Sequence, residues 1–259
     1  MLYLFVFIFG LIIGSFLNVV ILRFDEFETI FYTRSRCPKC KKGLAWYDLV
    51  PVLSFLVFGG RCRQCKTPIS WQYPLVELGT AVLFALLYGK FGISLELAIH
   101  LVIASILIVV FVYDLKNQLI SDKLIILTAI IWFAWLVINS FFLSENSALG
   151  SQNLILSSIF GGLSLGGFFL LLVLVSKEKW MGWGDVFLGF SLGAIVGWPL
   201  VLTGAFLSFI LGGILGVILI VTRKKGRQDH LPFAPFLIVG AYLALIFFET
   251  QSQLFWMVF

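Results

Sequence analysis

Six residues in this 259-residue chain have types and spacings that point to chemistry: two aspartates and four cysteines. Asp114 closes a long apolar run in Val112-Tyr113-Asp114-Leu115, and Asp185 opens another after Met181-Gly182-Trp183-Gly184. An acid at the edge of a membrane span is costly, so it is a functional candidate by default. The plain alternative is an acid that only marks a helix end in the headgroup zone. Two acids at one membrane level, one of them in a Gly-x-Gly-Asp turn, weaken that alternative. A pair of carboxylates is a hydrolytic device: one activates water, the other protonates the leaving amine, and the two share a proton. Gly182 and Gly184, lacking Cβ atoms, let a substrate chain approach the turn closely. His100 and His230 are the only histidines and fall on opposite membrane faces, which disfavours a Ser-His triad or a histidine metal cluster. No serine has a nucleophile-like turn around it, although a Ser-Lys dyad stays open.

The cysteines form two pairs, Cys37-Pro-Lys-Cys40 and Cys62-Arg-Gln-Cys65. Two residues between cysteines let both thiolates of one turn reach the same ion, and two such pairs complete a tetrahedral zinc site. The 21 residues between the pairs slightly exceed the usual spacing of about 15–20. Gly43 stands where the first knuckle wants a glycine. Arg36, Lys39, Lys41, Lys42, Arg61, Arg63 and Lys66 would offset the negative charge of a four-thiolate zinc. Four cysteines leave no open coordination position, so the expected zinc is structural. Disulfides and a redox dithiol are the alternatives. A cytosolic setting argues against the first, and the lack of a βαβ context argues against the second.

The elements that position these residues follow from composition. The chain is 61% hydrophobic and only 12% charged, where soluble domains carry roughly 25% charged residues. Lipid must therefore be the solvent for most of it, and a nucleic-acid partner is not indicated. Apolar runs predict eight spanning helices near 2–22, 74–90, 96–113, 123–142, 153–175, 185–199, 201–221 and 233–250. The uncharged run 186–222 would be roughly 55 Å long as one helix, so Gly197-Trp198-Pro199 is read as its break. Residues 1–22 lack a positive n-region and a small-residue cleavage motif, so they read as a span rather than a removable leader. With the N-terminus outside, 17 of the 18 Lys and Arg residues fall in cytosolic loops, Lys90 being the exception. That asymmetry fixes the orientation, with the loop of Ser147 outside and that of Arg227 inside. Glycines four apart at Gly10/Gly14, Gly189/Gly193/Gly197 and Gly212/Gly216 are read as ordinary helix-packing positions.

The ordered motifs resemble the type IV prepilin peptidase family over nearly the whole chain. They run from Gly14-Ser15-Phe16-Leu17-Asn18 through the cysteine pairs, Trp46-Tyr47-Asp48-Leu49-Val50-Pro51 and Tyr73-Pro74-Leu75-Val76-Glu77-Leu78. Asp114, Gly182–Asp185 and Leu231-Pro232-Phe233-Ala234-Pro235 complete them. The resemblance implies an aspartic endopeptidase of the Gly-x-Gly-Asp membrane class, with Asp114 and Asp185 catalytic and Cys37, Cys40, Cys62 and Cys65 as metal ligands. It implies removal of the short basic leader of prepilins and pseudopilins, as in type IV pilus, secretion and competence systems. It further implies methylation of the new N-terminus with S-adenosylmethionine. No Gly-x-Gly-x-x-Gly loop after a strand is present, so the methyltransferase half rests on resemblance alone. One departure is visible: relatives often place proline in the short loop after the first aspartate, where this chain has Ile120-Ser121-Asp122, a change expected to relax the turn. Because the implied leader is basic, Glu178, seven residues before Asp185, is a candidate substrate-seating acid; the plain alternative is a solvated loop charge.

The expectation is thus an all-α polytopic protein of the bacterial cytoplasmic membrane. It divides into a first helix (1–22), a cytosolic zinc module (23–72) and a membrane-embedded peptidase domain (73–259). The competing readings are another Gly-x-Gly-Asp intramembrane protease, which would lack the zinc module, and a transporter with a zinc-stabilised loop. A transporter should carry its acids near the bilayer midplane, in paired halves.

Overall fold

The computed structural model describes residues 1–24, 35–37, 39–143, 148–222 and 232–248, with backbone only at 142–143 and 148–153. Ser147, the basic cluster 223–227 and His230, which entered the topology argument, lie outside the described residues, as does Leu231 of the last motif. Nine α-helices are seen among the described residues: α1 (Leu2–Leu22), α2 (Leu53–Val57), α3 (Gln72–Phe91), α4 (Leu95–Asn117), α5 (Asp122–Ile138), α6 (Ala148–Ser176), α7 (Trp183–Val196), α8 (Leu200–Val221) and α9 (Ala234–Phe247). A 3₁₀ turn covers Trp46–Leu49 and a π turn Asn139–Leu143. No strand is present among the described residues; two isolated bridges, Arg36–Gly43 and Arg61–Pro68, close turns in the cysteine loop.

The chain is an all-α multi-pass membrane protein. Six helices are long and apolar enough to cross a bilayer: α1, α3, α4, α5, α6 and α8. Their outward faces carry large apolar side chains such as Phe5, Phe133, Leu171 and Phe206, as lipid-facing surfaces must. Helices α7 and α9 fall where the sixth and eighth spans were expected, near 185–199 and 233–250, but each has 14 residues, about 21 Å of helix. Helix α7 stops at Val196, not at 199, because Gly197 adopts a left-handed conformation (φ +74°) and caps it. The break expected at Gly197-Trp198-Pro199 is present, and α8 begins at Leu200. It is fastened to α6 twice: the Trp198 amide donates to the Ser157 carbonyl (3.0 Å), and the Ser157 hydroxyl to the Trp198 carbonyl (2.8 Å).

The described residues form two compact units, Met1–Val109 and Val110–Phe259. In the first, α1 packs on α3 through the glycine pair read from sequence. A Cβ at Gly10 would lie 2.6 Å from the Ala81 Cα, and one at Gly14 2.7 Å from the Glu77 Cα. In the second, α6 and α7 meet backbone to backbone: a Cβ on Gly193 would collide with the Gly161 carbonyl, and one on Gly161 with the Gly193 carbonyl. Gly189 faces Phe169 at 2.7 Å. Helices α8 and α9 meet instead at Gly204, Ser208 and Gly240, a contact the four-residue glycine spacing did not reveal. Gly212 is only in ordinary contact with Phe236, at 3.5 Å.

These packings make a paired expectation. Gly193→Ala forces two backbones apart and should cost about 1–3 kcal/mol, as overpacking does. Gly167→Ala, on the same helix pair but with no atom within 4 Å of the added methyl, should be neutral or slightly stabilising. Thermal unfolding of both variants in one detergent checks this, and equal midpoints would reject the tight contact.

Candidate active site and metal centre

Both aspartates belong to the second unit, where two helix ends bring them together. Asp114 lies in the last turn of α4 and is 3% exposed. Gln118, in the left-handed region (φ 53°), ends that helix by donating its amide to the Asp114 carbonyl at 2.8 Å. Asp185 is the third residue of α7 and is half-buried; its amide donates to the Gly182 carbonyl at 3.2 Å. The two carboxylates are close enough to act on each other electrostatically. Asp114 Oδ2 and Asp185 Oδ1 are both buried without a hydrogen-bond partner among the described residues. Buried carboxylate oxygens are almost always partnered, which sets this pair apart from the other buried acid, Glu77.

The two glycines differ in role. At Gly184 the space of a missing Cβ is taken by Ile120, 2.9 Å away, so the loop after Asp114 rests directly on the turn before Asp185. Ile120 belongs to the short loop after Asp114, where the Ser121 carbonyl accepts the Leu124 and Ile125 amides to start α5. Gly182 is exposed with open space beside it and an ordinary φ of −90°. Glu178 is exposed, and its Oε1 accepts the Trp183 indole N–H at 2.7 Å. Lys177 and Glu178 are both left-handed (φ 51° and 64°), and the Glu178 amide reaches back to the Val173 carbonyl at 3.1 Å. Consecutive non-glycine residues in this region each cost on the order of 1–3 kcal/mol. His100 belongs to the first unit, buried and stacked on Phe91 at 4.4 Å.

In the first unit the four cysteine sulfurs lie within 4.8 Å of one another, and the cluster can hold a metal ion. Each pair is built the same way. The Cys37 amide donates to the Lys42 carbonyl and the Lys41 amide to the Cys37 carbonyl; the Cys62 amide donates to the Thr67 carbonyl and the Lys66 amide to the Cys62 carbonyl. The left-handed residue of each knuckle is a lysine, Lys41 or Lys66 (both φ 57°). Gly43, expected at that position, lies two residues later with open space around it. Hydrogen bonds from the Thr67 hydroxyl and amide draw the Cys65 thiol down to about 6. Cys40 receives the Lys42 amide, yet desolvation and the neighbouring Cys37 and Cys65 sulfurs outweigh it and push the thiol up to about 11. Arg63 stacks over Tyr47 (4.7 Å) and approaches Asp48 at 3.6 Å, bracing the loop between the pairs.

Two buried polar residues carried no assigned role in the sequence. Asn18 is 1% exposed; its side-chain amide donates to the Gly14 and Tyr73 carbonyls, and its oxygen accepts from Gln72. Glu77 is 6% exposed, and its Oε2 accepts the Val52 amide at 2.8 Å. A glutamate inside an apolar run was the available signal.

Comparison with known proteins places these features in context. Residues 8–91 match the Bacterial Peptidase A24 N-terminal domain, and residues 101–217 match the Type IV leader peptidase family. A prepilin leader peptidase/N-methyltransferase of Bacillus subtilis (strain 168) is 35% identical over 249 residues, 94% of each chain. A protein of the same description from Pseudomonas aeruginosa is 31% identical over 269 residues, 94% of this chain and 90% of the relative. A third, from Legionella pneumophila, is 32% identical over 279 residues, 96% and 92% of the two chains. No solved structure matches significantly.

The cysteine geometry generates its own expectation. The purified protein should carry about one metal ion per chain, since four thiolates complete one tetrahedral shell. Cys65→Ser should lose it. Ligand thiols must be deprotonated, so retention against a chelator should weaken as pH falls. Elemental analysis after dialysis at two pH values checks both points.

Proposed function

Because the chain belongs to the type IV leader peptidase family, a family of proteases, we propose that it removes the basic leader of prepilins or pseudopilins and methylates the N-terminus so exposed. The observation that carries the peptidase half is the meeting of Asp114 and Asp185 at two helix ends, each with an unpartnered buried oxygen. In the proposed topology eight helices span the bacterial cytoplasmic membrane, α7 and α9 among them. The aspartates and the cysteine module then face the cytosol. Near-complete segregation of Lys and Arg supports this orientation.

Helix polarity divides the labour. Asp185 sits in the first turn of α7, where the partial positive end of the macrodipole favours a carboxylate; Asp114 sits in the last turn of α4, where the partial negative end disfavours one. Asp185 takes a proton from water as its oxygen attacks the scissile carbonyl. Asp114 holds the shared proton and gives it to the departing amine. The open space beside Gly182 admits the substrate backbone, and Glu178, presented by Trp183, faces a basic leader. Zinc is the proposed metal: the Cys37–Cys65 sulfur separation of 3.8 Å is compatible with the ~3.8 Å edge of a tetrahedron with Zn–S bonds of about 2.3 Å. S-adenosylmethionine is the proposed methyl donor.

Purified enzyme, a tagged prepilin and mass spectrometry of the product N-terminus separate cleavage from methylation. Asp114→Asn and Asp185→Asn should each abolish cleavage almost completely, while methyl transfer to a pre-cleaved pilin persists. Full cleavage by either variant removes that residue from the reaction. Asp114→Asn, keeping a neutral hydrogen-bonding group at the protonated position, should bind a transition-state-like inhibitor better than Asp185→Asn; equal binding rejects the assigned roles.

Glu178→Gln keeps an oxygen for the Trp183 indole but loses the charge. It should raise KM more than it lowers kcat if the carboxylate seats the leader. Unchanged kinetics would make Glu178 a plain loop charge.

A further inference from the structure

Helix α2 presents Leu53, Leu56 and Val57 outward, at 60%, 64% and 76% exposure, while Phe55 turns inward against Trp71 (4.9 Å). Positions 53, 56 and 57 share one face of a helix. The preceding turn adds Trp46 and Leu49, three residues apart and also exposed. An exposed apolar surface of this kind on a loop between spanning helices marks an interaction site.

The depth of this surface is fixed by Glu77. Val52, the residue before α2, donates its amide to Glu77 Oε2 at 2.8 Å, and the same carboxylate lies close enough to Ser15 of α1 to interact with its side chain. Glu77 is the sixth residue of the spanning helix α3, so it lies about 7–8 Å along the axis from that helix's first residue. Ser15 lies seven residues before the end of α1, about 10 Å in. The chain therefore enters α2 below the ends of both spanning helices. Val52 is itself left-handed (φ 61°), which folds the chain back at this point. Trp71, 68% exposed, directly precedes α3, at the level where interfacial tryptophans sit.

We propose that α2, with Trp46 and Trp71, is an interfacial membrane anchor, its exposed face buried at the boundary between headgroups and acyl chains. Amphipathic helices dock at about this depth, 5–10 Å into the boundary. The exposed cations Arg61, Arg63 and Lys66 follow closely in the chain and suit anionic headgroups. The occupant is lipid because the surface is pinned beside two spanning helices, where a water-soluble partner would have to displace headgroups. The inference rests on the membrane fold alone and not on the peptidase reading.

The test uses the full chain with a genetically encoded fluorescent residue at Val57 or, as a control, at exposed Lys39. Each protein is reconstituted in phosphatidylethanolamine–phosphatidylglycerol vesicles, its metal content confirming a folded loop. A nitroxide near the top of the acyl chain should quench the Val57 probe about threefold or more over the Lys39 probe, and aqueous iodide should show the reverse order. Equal iodide quenching at the two positions overturns the proposal. It is also overturned if lipid quenching at Val57 disappears at high protein-to-lipid ratio, which would assign the face to a second copy, or on adding prepilin, which would assign it to substrate.

Discussion

A backbone amide in hydrocarbon has no water to fall back on, so each must find its acceptor within the chain. That requirement accounts for the all-helical build, and it also decides how the helices meet. Apolar burial gives little reason for two helices to associate in lipid, since the tails are as apolar as leucine. Close approach must supply the attraction instead. Hence Gly10 and Gly14 against α3, Gly161 and Gly193 face to face, and Gly204 with Gly240 at Ser208. At each contact the absence of a Cβ lets one backbone lie on another. The α6–α7 contact matters most for the proposed chemistry, because the short helix α7 carries Asp185.

The same solvent separates two uses of a buried carboxylate. Glu77 has a donor in the Val52 amide, and Asn18 spends both ends of its amide on Gly14, Tyr73 and Gln72. These groups are satisfied, and they tie a loop to a helix pair. Asp114 and Asp185 each keep an oxygen without a donor, at a cost of about 1–3 kcal/mol or more per group. The strain at Lys177 and Glu178 lies in the loop leading to the same turn. Satisfied acids hold the fold; unsatisfied ones are where chemistry is proposed.

Much of this was legible in the sequence because lipid enforces simple rules. The six long apolar helices and the two shorter ones, α7 and α9, lie within a few residues of the expected runs, and the four cysteines converge as their spacing implies. What was not legible depended on tertiary neighbours. Nothing in Ile120 announces that it fills the space above Gly184. The helix pair α8–α9 meets through a serine and two glycines from distant segments, so no local spacing reveals it. The end of α7 at Val196 depends on one left-handed glycine and on Ser157 across the helix pair.

The cysteine module shows where local reasoning misleads in an instructive way. Glycine is the expected residue for a left-handed turn, and Gly43 was the nearest one. The turn is made by Lys41, and its twin by Lys66, in two knuckles with matching hydrogen bonds. A lysine can be held there only if the surroundings over-determine it. A loop this small has little core of its own, with Cys37, Phe55 and Cys62 its principal buried apolar residues. Binding energy from a four-thiolate ion, of order 10 kcal/mol or more, exceeds the strain of two such turns several-fold. Lysines so close in sequence to the thiolates would also offset the net negative charge of a four-thiolate zinc. The knuckles thus give up glycine's ease for cations that a metal-bound loop can use.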